Sequence, residues 1–326
     1  MQLTRPGRQV DGGRTAKEKE ITTRTLTQRA WPQALGTGST IGLVAPSGPI
    51  PAERVTHGIE LLRSWRFDVR PGAHLGDHHP RLGYLAGSDE DRAADFQAAW
   101  TDPDVAAVWC ARGGYGAQRM VDLLDFDALR AAGPKHLIGF SDITALHARI
   151  GRELGQVTIH GPVGTGSQLD DGPSVAALRS LFSLEPAPGA TLITGAGLVP
   201  GSATGRLIGG NLALIAGDLG VEPLPTEPSV VIIEDIGEQG YRLDRMLTQL
   251  RRAGFFREVV GVVLGDFTET DDEALVTEVL ADRLADLGVP VLCQAAFGHA
   301  GRNLALPLGA VVDLDATEGV VRLSAG

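Results

Sequence analysis

The stretch HLIGFSDITALH, residues 136–147, predicts a buried strand that turns directly into a helix. Residues 136–140 form an apolar run, and helical spacing begins immediately after Ser141. Ser141 at this junction is consistent with two roles. It can cap the helix, as serine commonly does, or it can be a nucleophile held out of the sheet beside the first free N–H groups of the helix. The stretch alone favours the cap, because N-caps far outnumber nucleophiles.

The same alternation of strand and helix extends outward from this stretch, over residues 40–161. Strands are predicted at 40–45, 67–72, 105–111, 136–140 and 157–161. The run VAAVWCA (105–111) is apolar throughout, which is typical of a parallel strand covered on both faces. The pattern therefore predicts an α/β fold with an open, mainly parallel sheet and helices on both of its faces.

The composition of the sequence changes after residue 165, which suggests a domain boundary there. Proline and glycine cluster in GTGSQLDDGPS and LEPAPGAT, so we expect a first domain at 36–165 and a linker at 166–200. A smaller α/β domain with more strand character follows at 201–326, and its segment GRLIGGNL is predicted to be a glycine-rich turn before a helix. Residues 1–35 are polar, rich in arginine and without periodicity, which indicates a flexible N-terminal extension.

Composition restricts the classes of partner. The chain has 326 residues, 43% of them hydrophobic, and a formal net charge of −11, which argues against a nucleic acid or an anionic membrane as partner. No apolar run has the length of a membrane helix, and we expect no secretory signal. Cys110 and Cys293 lie in apolar runs, so we interpret them as buried thiols in a reducing compartment.

A serine nucleophile requires a base, and the base requires an orienting acceptor. Glu234 closes the apolar run 230–233, and His299 lies in the glycine-flanked loop AFGHAG. Each has an ordinary alternative, a solvated strand end or helix cap for Glu234 and a surface loop histidine for His299. The order Ser141, Glu234, His299 is the one found in α/β-hydrolases, although triad order is not diagnostic. A site built from these three would lie between the two domains, where pockets commonly form.

Glycines after the third predicted strand indicate an anion site. In ARGGYGAQRM, Arg112, Gly113 and Gly114 stand between a strand and a helix, and their amides can bind an anion. Neither this motif nor GRLIGGNL matches a dinucleotide or P-loop fingerprint, so no nucleotide cofactor is predicted. We expect an oxyanion hole made by an amide of Gly113 or Gly114 together with the amide of Asp142. Arg112 is a candidate for binding a terminal carboxylate, with a structural ion pair as an equal alternative.

Metal chemistry is the main rival to a serine mechanism. The segment HLGDHH offers His74, Asp77, His78 and His79. These residues form no helical i, i+4 pair and have no second cluster at ligand spacing, so we interpret the segment as a polar loop and predict no metal.

Six motifs in order make the chain resemble a known family. They are IGLVAPSGP, ARGGYGAQRM, LIGFSDITALH, GRLIGGNL, VIIEDIGEQGYRLDRMLTQL and FGHAGRNLALPLGA. Over residues 38–325 the chain is similar to the LD-carboxypeptidases of serine peptidase family S66, a family that also contains the microcin C immunity peptidases. The resemblance assigns the nucleophile to Ser141, the acid to Glu234 and the base to His299.

The resemblance implies a Rossmann-like N-terminal domain, a distinct C-terminal domain, no metal or cofactor, and a cytoplasmic homodimer. It implies release of terminal D-alanine from murein tetrapeptides during cell-wall recycling. Hydrolysis of peptide–nucleotide conjugates of the microcin type is the second interpretation, because only 5% of residues are aromatic and no aromatic-rich insertion stands between Glu234 and His299. A non-catalytic small-ligand binder is a third interpretation, disfavoured because all three triad positions are filled.

Overall fold

The computed structural model describes residues 26–182 and 187–325, which form two α/β domains, each built on one mixed sheet. Residues 1–25, most of the expected extension, lie outside the described residues. Residues 26–35 are attached to both domains: Ala30 bridges to Gln156 ahead of the last parallel strand of the first sheet, and the carbonyl of Thr27 accepts from Arg206 at 2.7 Å. This part of the extension is therefore packed against the protein.

The N-terminal half alternates strands and helices as the sequence predicts. Its elements are β1 (Thr40–Val44), α1 (Ala52–Ser64), β2 (Asp68–Pro71), α2 (Asp89–Thr101), β3 (Val105–Cys110), α3 (Ala117–Met120), α4 (Phe126–Ala132), β4 (His136–Gly139), α5 (Thr144–Leu154) and β5 (Thr158–His160).

The C-terminal half is richer in strands. Its elements are α6 (Gly172–Ser180), β6 (Thr191–Thr194), β7 (Ala196–Val199), β8 (Ser202–Asn211), α7 (Leu212–Gly217), β9 (Ser229–Ile236), α8 (Gly240–Ala253), β10 (Val259–Thr268), α9 (Glu273–Leu284), β11 (Val291–Cys293), β12 (Leu306–Leu308), β13 (Val311–Asp315) and β14 (Val320–Leu323). Within its described residues, 166–182 and 187–200, the predicted linker thus contains a short 3₁₀ turn (Ser167–Asp170), the helix α6 and the strands β6 and β7.

The first sheet has six strands in the order β12-β5-β4-β3-β1-β2. The pairings among β1 to β5 are all parallel, and β12 joins the edge of β5 in antiparallel register from the C-terminal half of the chain. The predicted open, mainly parallel sheet is confirmed. Because parallel strands end at the same edge, the loops after β1, β3 and β4 meet there.

The second sheet has eight strands in the order β6-β14-β13-β8-β9-β10-β11-β7. Strands β8 to β11 pair in parallel, while β6, β7, β13 and β14 pair with antiparallel neighbours. The greater strand character expected of this domain is confirmed.

The glycine-rich segment before α7 differs from the prediction. Gly209 and Gly210 continue strand β8 instead of forming a turn, with φ angles of +110° and +138°. A Cβ atom at Gly210 would lie 2.4 Å from Oγ1 of Thr144, at the start of α5. The glycines are therefore required where the second sheet packs closely against the helix that follows Ser141.

Apolar side chains fill both faces of each sheet. In the first sheet, Ile41 and Trp109 belong to the core on one face, and Val44 and Val108 belong to the core on the other. Cys110 is fully buried and Cys293 is partly exposed, and both are free thiols. Within residues 26–182 and 187–325, no helix is long and apolar enough to span a membrane.

Candidate active site

Ser141 lies on a strained turn between β4 and α5. Its φ angle is +65°, a left-handed value that is uncommon for a residue other than glycine. Residues Ser141–Ile143 form a short 3₁₀ turn, and neither this turn nor α5 has a side-chain cap hydrogen bond. The Ser141 side chain is thus not used as a helix cap. Strain of this kind is often found at functional sites, where the surrounding structure maintains it.

The hydroxyl of Ser141 is hydrogen-bonded to the histidine predicted as its base. Oγ of Ser141 lies 3.0 Å from Nε2 of His299, and Nδ1 of the same ring lies 2.6 Å from Oε2 of Glu234. Glu234 is 0% exposed at the carboxyl end of β9. The three residues therefore form a continuous hydrogen-bonded relay from a buried carboxylate to a serine hydroxyl.

The loop that carries His299 is held from several directions. Gly298 has a φ angle of +118°, and its N–H donates to Oδ1 of Asn303 at 3.2 Å. Nε2 of Gln168 donates to the carbonyls of Gly298 and Ala300 at 2.9 and 3.0 Å. The Phe140 ring packs on the imidazole with centroids 4.8 Å apart. These contacts restrict the imidazole ring and favour one orientation toward Ser141.

Two further carboxylates lie behind the relay. Burial, together with the neighbouring charge of Glu234, raises the pKa of Asp235 to about 6. Asp235 accepts from Nδ2 of Asn211 and from the N–H of Ala213, both at 3.0 Å. Burial also raises the pKa of Asp266, which accepts from the N–H of Ala300 at 3.3 Å. The side of the site behind His299 is therefore acidic.

This arrangement has the parts that nucleophilic catalysis by serine requires. A neutral imidazole within hydrogen-bond distance of the hydroxyl can accept its proton as the oxygen attacks a carbonyl. A buried carboxylate on the other ring nitrogen fixes the tautomer and stabilises the imidazolium that forms.

Family comparisons agree with this architecture. The LD-carboxypeptidase N-terminal domain matches residues 41–161, and the LD-carboxypeptidase C-terminal domain matches residues 204–314. The chain belongs to the LD-carboxypeptidase family, peptidase family S66.

Two bacterial relatives match about nine-tenths of this chain. A Streptomyces coelicolor protein whose name assigns it to the carboxypeptidases is 47% identical over 90% of this chain and 95% of its own. The murein tetrapeptide carboxypeptidase of Pseudomonas aeruginosa is 33% identical over 90% of this chain and 98% of its own.

Two solved structures share the architecture. The muramoyltetrapeptide carboxypeptidase of Oxalobacter formigenes superimposes with a TM-score of 0.75 at 28% identity, covering 87% of this chain and 97% of that one. The microcin C7 self-immunity protein MccF, in complex with glutamyl sulfamoyl guanosine, superimposes with a TM-score of 0.81 at 24% identity, covering 91% of this chain and 98% of that one. The second likeness concerns the fold alone.

The residues predicted for the oxyanion hole lie beside Ser141. A Cβ atom at Gly113 would be 3.3 Å from Oγ of Ser141, so the backbone of Gly113 packs directly against the hydroxyl. Gly114 follows with a φ angle of +111°, and Asp142 follows Ser141 in the 3₁₀ turn. The structure thus brings the two predicted amide sources, the loop after β3 and the turn after β4, to the same serine.

The side chain of Asp142 contributes a connection that the sequence did not indicate. Its buried Oδ2 accepts from Oγ of Ser47 at 2.6 Å and from the N–H of Ala117 at 2.8 Å. Burial raises the pKa of Asp142, while these two hydrogen bonds oppose the shift. One carboxylate therefore ties together the loops that follow β1, β3 and β4. The shared edge of parallel strands is the only sequence signal that could have suggested this.

Arg112 is exposed at the rim of the site. One of its guanidinium nitrogens donates to the carbonyl of Pro49, and no ion pair with a carboxylate occurs for it among the described residues. The ion-pair alternative for Arg112 is therefore not seen within residues 26–182 and 187–325, and its guanidinium is exposed beside the glycine loop.

Two histidines of the segment 74–79 make hydrogen bonds to neighbouring protein groups. Nδ1 of His74 lies 3.0 Å from Oδ1 of Asp95, and Nδ1 of His79 accepts from the N–H of Leu82 at 2.9 Å. Across the ranges that the structure describes, no group of three or more histidine, cysteine, aspartate or glutamate side chains is arranged to hold a metal.

Proposed function

We propose that this protein is a serine carboxypeptidase that hydrolyses the L,D peptide bond of murein tetrapeptides and releases their terminal D-alanine. The observation that carries the proposal is the hydrogen-bonded relay from Ser141 through His299 to Glu234. The family's murein tetrapeptide carboxypeptidases support the choice of substrate.

In the proposed first half-reaction, Ser141 attacks the carbonyl carbon of the scissile bond while Nε2 of His299 takes its proton. The tetrahedral oxyanion accepts hydrogen bonds from the amide of Asp142 and from an amide of Gly113 or Gly114. His299 then gives its proton to the departing amine of D-alanine, which leaves an ester on Ser141. Glu234 keeps the imidazole in the required tautomer and stabilises its positive charge.

In the second half-reaction, water attacks the ester. His299 takes a proton from that water and returns it to Oγ of Ser141, which releases the tripeptide and regenerates the enzyme. Every step uses groups of the protein and one water, so the mechanism needs no metal and no cofactor.

Electrostatics favour one location for the terminal carboxylate of the substrate. Glu234, Asp235 and Asp266 make the side behind His299 acidic, so a substrate carboxylate would be repelled there. Arg112 supplies positive charge on the glycine-loop side. We therefore assign the terminal carboxylate to the Arg112 side, where a guanidinium can bind it in a bidentate manner.

The resemblance to the family further leads us to propose a homodimer that acts in the cytoplasm on peptides from wall recycling. Light scattering of the purified protein tests the dimer, and cell fractionation tests the location.

The deciding experiment measures release of D-alanine from murein tetrapeptide by the purified protein and by Ser141→Ala. We expect wild type to release it and the variant to lose about 10⁶-fold in kcat, as removal of a serine nucleophile does in a comparable triad. Thermal unfolding should be nearly unchanged. Wild-type-like turnover by Ser141→Ala would overturn the assignment. The second candidate, hydrolysis of peptide–nucleotide conjugates, is tested with glutamyl sulfamoyl guanosine, the ligand of the MccF structure. Cleavage of that compound alone would replace the murein substrate.

A further inference from the structure

Two tyrosines form an exposed pair at the rim of the glycine loop. The side chains of Tyr84 and Tyr115 are 53% and 46% exposed, and their rings meet edge to face with centroids 5.9 Å apart at 62°. We name this pair the tyrosine rim. Large aromatic side chains that stay in water are commonly binding surfaces when they lie beside a polar site.

The tyrosine rim is joined directly to the loop that touches the nucleophile. Tyr115 follows Gly114, and Gly113 packs on Ser141. The N–H of Gly48 donates to the carbonyl of Gly113 at 3.1 Å, and a Cβ atom at Gly48 would lie 3.4 Å from the carbonyl oxygen of Tyr84. Both tyrosines therefore belong to the same wall as the predicted oxyanion donors.

Hydrogen bonds hold this wall rigidly. The buried guanidinium of Arg92 donates to the carbonyls of Pro46 and, at 2.8 Å, Gly116. The N–H of Ala86 donates to the carbonyl of Ser47 at 2.9 Å, two residues after Tyr84. The loops that carry the two tyrosines are thus fixed by buried groups, and the rings are presented without a large ordering cost on binding.

One charged pair beside the tyrosine rim, Arg119 and Asp89, is already neutralised. Arg119 donates to Asp89 through Nε at 3.0 Å and through Nη2 at 2.8 Å. The bond to Asp89 is the main cause of the raised pKa of Arg119, and the two phenols add to it, which places them near the guanidinium. A neutralised ion pair does not select an anion, and the unpaired cation of the same loop, Arg112, is assigned to the terminal carboxylate. The tyrosine rim itself is therefore suited to a neutral ligand with apolar faces and polar edges.

The geometry of the rings narrows that ligand further. A flat nucleobase gains most between two parallel aromatic faces, whereas these rings meet at 62°. A sugar ring carries C–H groups on its faces and hydroxyl groups at its edges. It can place one face on a tyrosine ring, whose π-face is negative, and direct its hydroxyls to the other phenol.

We propose that Tyr84 and Tyr115 form a subsite for the amino sugar of a muramoyl-linked tetrapeptide. This inference rests on the proposed function and extends it to the far end of the substrate. Three extended residues between the scissile bond and the sugar span about 10 Å. Tyr115 is two Cα steps of about 3.8 Å from Gly113, so its ring can lie no farther from the glycine loop than those steps and its own side chain allow, a limit that such a substrate can reach.

The test compares muramoyl-tetrapeptide with the same tetrapeptide lacking the sugar. The quantity measured is the ratio of their kcat/KM values in wild type, Tyr84→Ala, Tyr115→Ala and the double variant. We expect the double variant to lower the preference for the muramoyl substrate about tenfold, mainly through KM. Tyr84→Phe and Tyr115→Phe should keep most of the preference, because the aromatic faces remain. Tyr241→Ala is the matched control, since Tyr241 is 52% exposed at the start of α8.

The affinity of both peptides for Ser141→Ala, with and without the tyrosine substitutions, is measured by calorimetry. This tests sugar binding separately from the hydrolysis reaction. Loss of sugar-dependent affinity in the tyrosine variants supports the subsite even where turnover is slow. An unchanged ratio in the double variant would overturn the subsite while leaving the proposed carboxypeptidase intact. Tyrosine variants that lose only the cleavage or binding of glutamyl sulfamoyl guanosine would also overturn it, in favour of a nucleobase. Absence of D-alanine release by wild type would instead count against the proposed function.

Discussion

The hydroxyl of Ser47 donates to Oδ2 of Asp142 at 2.6 Å, which links the loop after β1 to the turn that carries Ser141. The same oxygen accepts from the N–H of Ala117, three residues after Gly114. The relative position of the serine and its predicted oxyanion donors is therefore set by one buried carboxylate. Such supporting contacts matter because small displacements in an oxyanion hole reduce the rate strongly.

Ser47→Ala should reduce kcat more than it affects KM. The substitution removes one of two donors from a buried carboxylate, a loss that typically costs about 1–3 kcal/mol. We expect a kcat about tenfold lower and a lower unfolding midpoint, measured by D-alanine release and by thermal denaturation. Ser64→Ala is the control, because Ser64 is an exposed residue at the end of α1. Equal kcat in wild type and Ser47→Ala would show that the loops keep their positions without this bond.

Glu234→Gln should leave the fold intact and nearly abolish activity. Glutamine has almost the same shape but no charge, and it can hold the imidazole in the wrong tautomer. In a serine triad the equivalent change lowers kcat about 10⁴-fold. Steady-state kinetics with murein tetrapeptide measure the loss, and circular dichroism checks the fold. A loss of less than tenfold would exclude Glu234 as the orienting acid.

The residues of the site differ in how well the sequence alone predicts them. Ser141, Glu234 and His299 were predictable because each stands at or just after the end of an apolar run, where the sites of open α/β sheets form. Their meeting was not predictable from local patterns, because Ser141 follows a strand of the first sheet and the other two belong to the second. Their assignment as a catalytic triad remains a proposal. The bonds of Asp142 were not predictable, since nothing in the chain tells that Ser47, 95 residues earlier, points to the same carboxylate.

The exposed tyrosine pair and the pairing of β12 with the first sheet could not be predicted from the sequence either. The low aromatic content argued against an aromatic surface that could bind a ligand. The fold nevertheless brings together Tyr84 and Tyr115, which are 31 residues apart in the sequence. Strand β12 is three residues long and contains Pro307, so its local pattern is weak. Its antiparallel pairing with β5 is decided by tertiary packing, which local patterns do not report.

The buried carboxylate of Asp235 should make stability depend on pH in a defined window. Burial raises its pKa to about 6 from an ordinary value of 3.8, so the folded state binds the proton more tightly than the unfolded state. Below pH 3.8 both states hold the proton, and above about 6 both have lost it. As pH rises through this window, the contribution of Asp235 to the free energy of unfolding must therefore fall, on the order of 1–3 kcal/mol.

The measurement is the difference in unfolding free energy between wild type and Asp235→Asn, taken at several pH values from about 3.5 to 7 so that the whole window is covered. Asparagine does not titrate, so the wild type should lose stability relative to the variant as pH rises. A difference that stays constant, or that increases with pH, would contradict the raised pKa.

Chelators should not affect activity. The proposed reaction uses Ser141, His299 and Glu234, while His74 and His79 are engaged in local hydrogen bonds. We expect equal rates of D-alanine release before and after dialysis against EDTA. Inactivation that is reversed by added zinc would point to a metal-dependent reaction and redirect attention to the 74–79 segment.

The last prediction concerns stereochemistry, which follows from two simultaneous demands on the substrate. Its carbonyl oxygen must point toward the amides of Asp142 and the glycine loop, while its terminal carboxylate reaches Arg112. Inverting the last α-carbon exchanges the methyl group and the hydrogen. The carboxylate and the oxyanion can then both bind only if the methyl group enters space that fits a hydrogen. Loss of one oxyanion donor alone costs about 10²–10³ in rate, so we expect discrimination of at least that size against an L-alanine terminus.

Three peptides test this geometry: the murein tetrapeptide, its counterpart ending in L-alanine, and its C-terminal amide. Wild type should cleave the first rapidly and the other two slowly. Arg112→Gln should raise KM for the free acid more than for the amide, because only the acid gains from the guanidinium. Equal cleavage of the D- and L-terminated peptides would defeat the L,D assignment. An Arg112→Gln variant with unchanged preference for the acid would move the carboxylate site elsewhere on the rim.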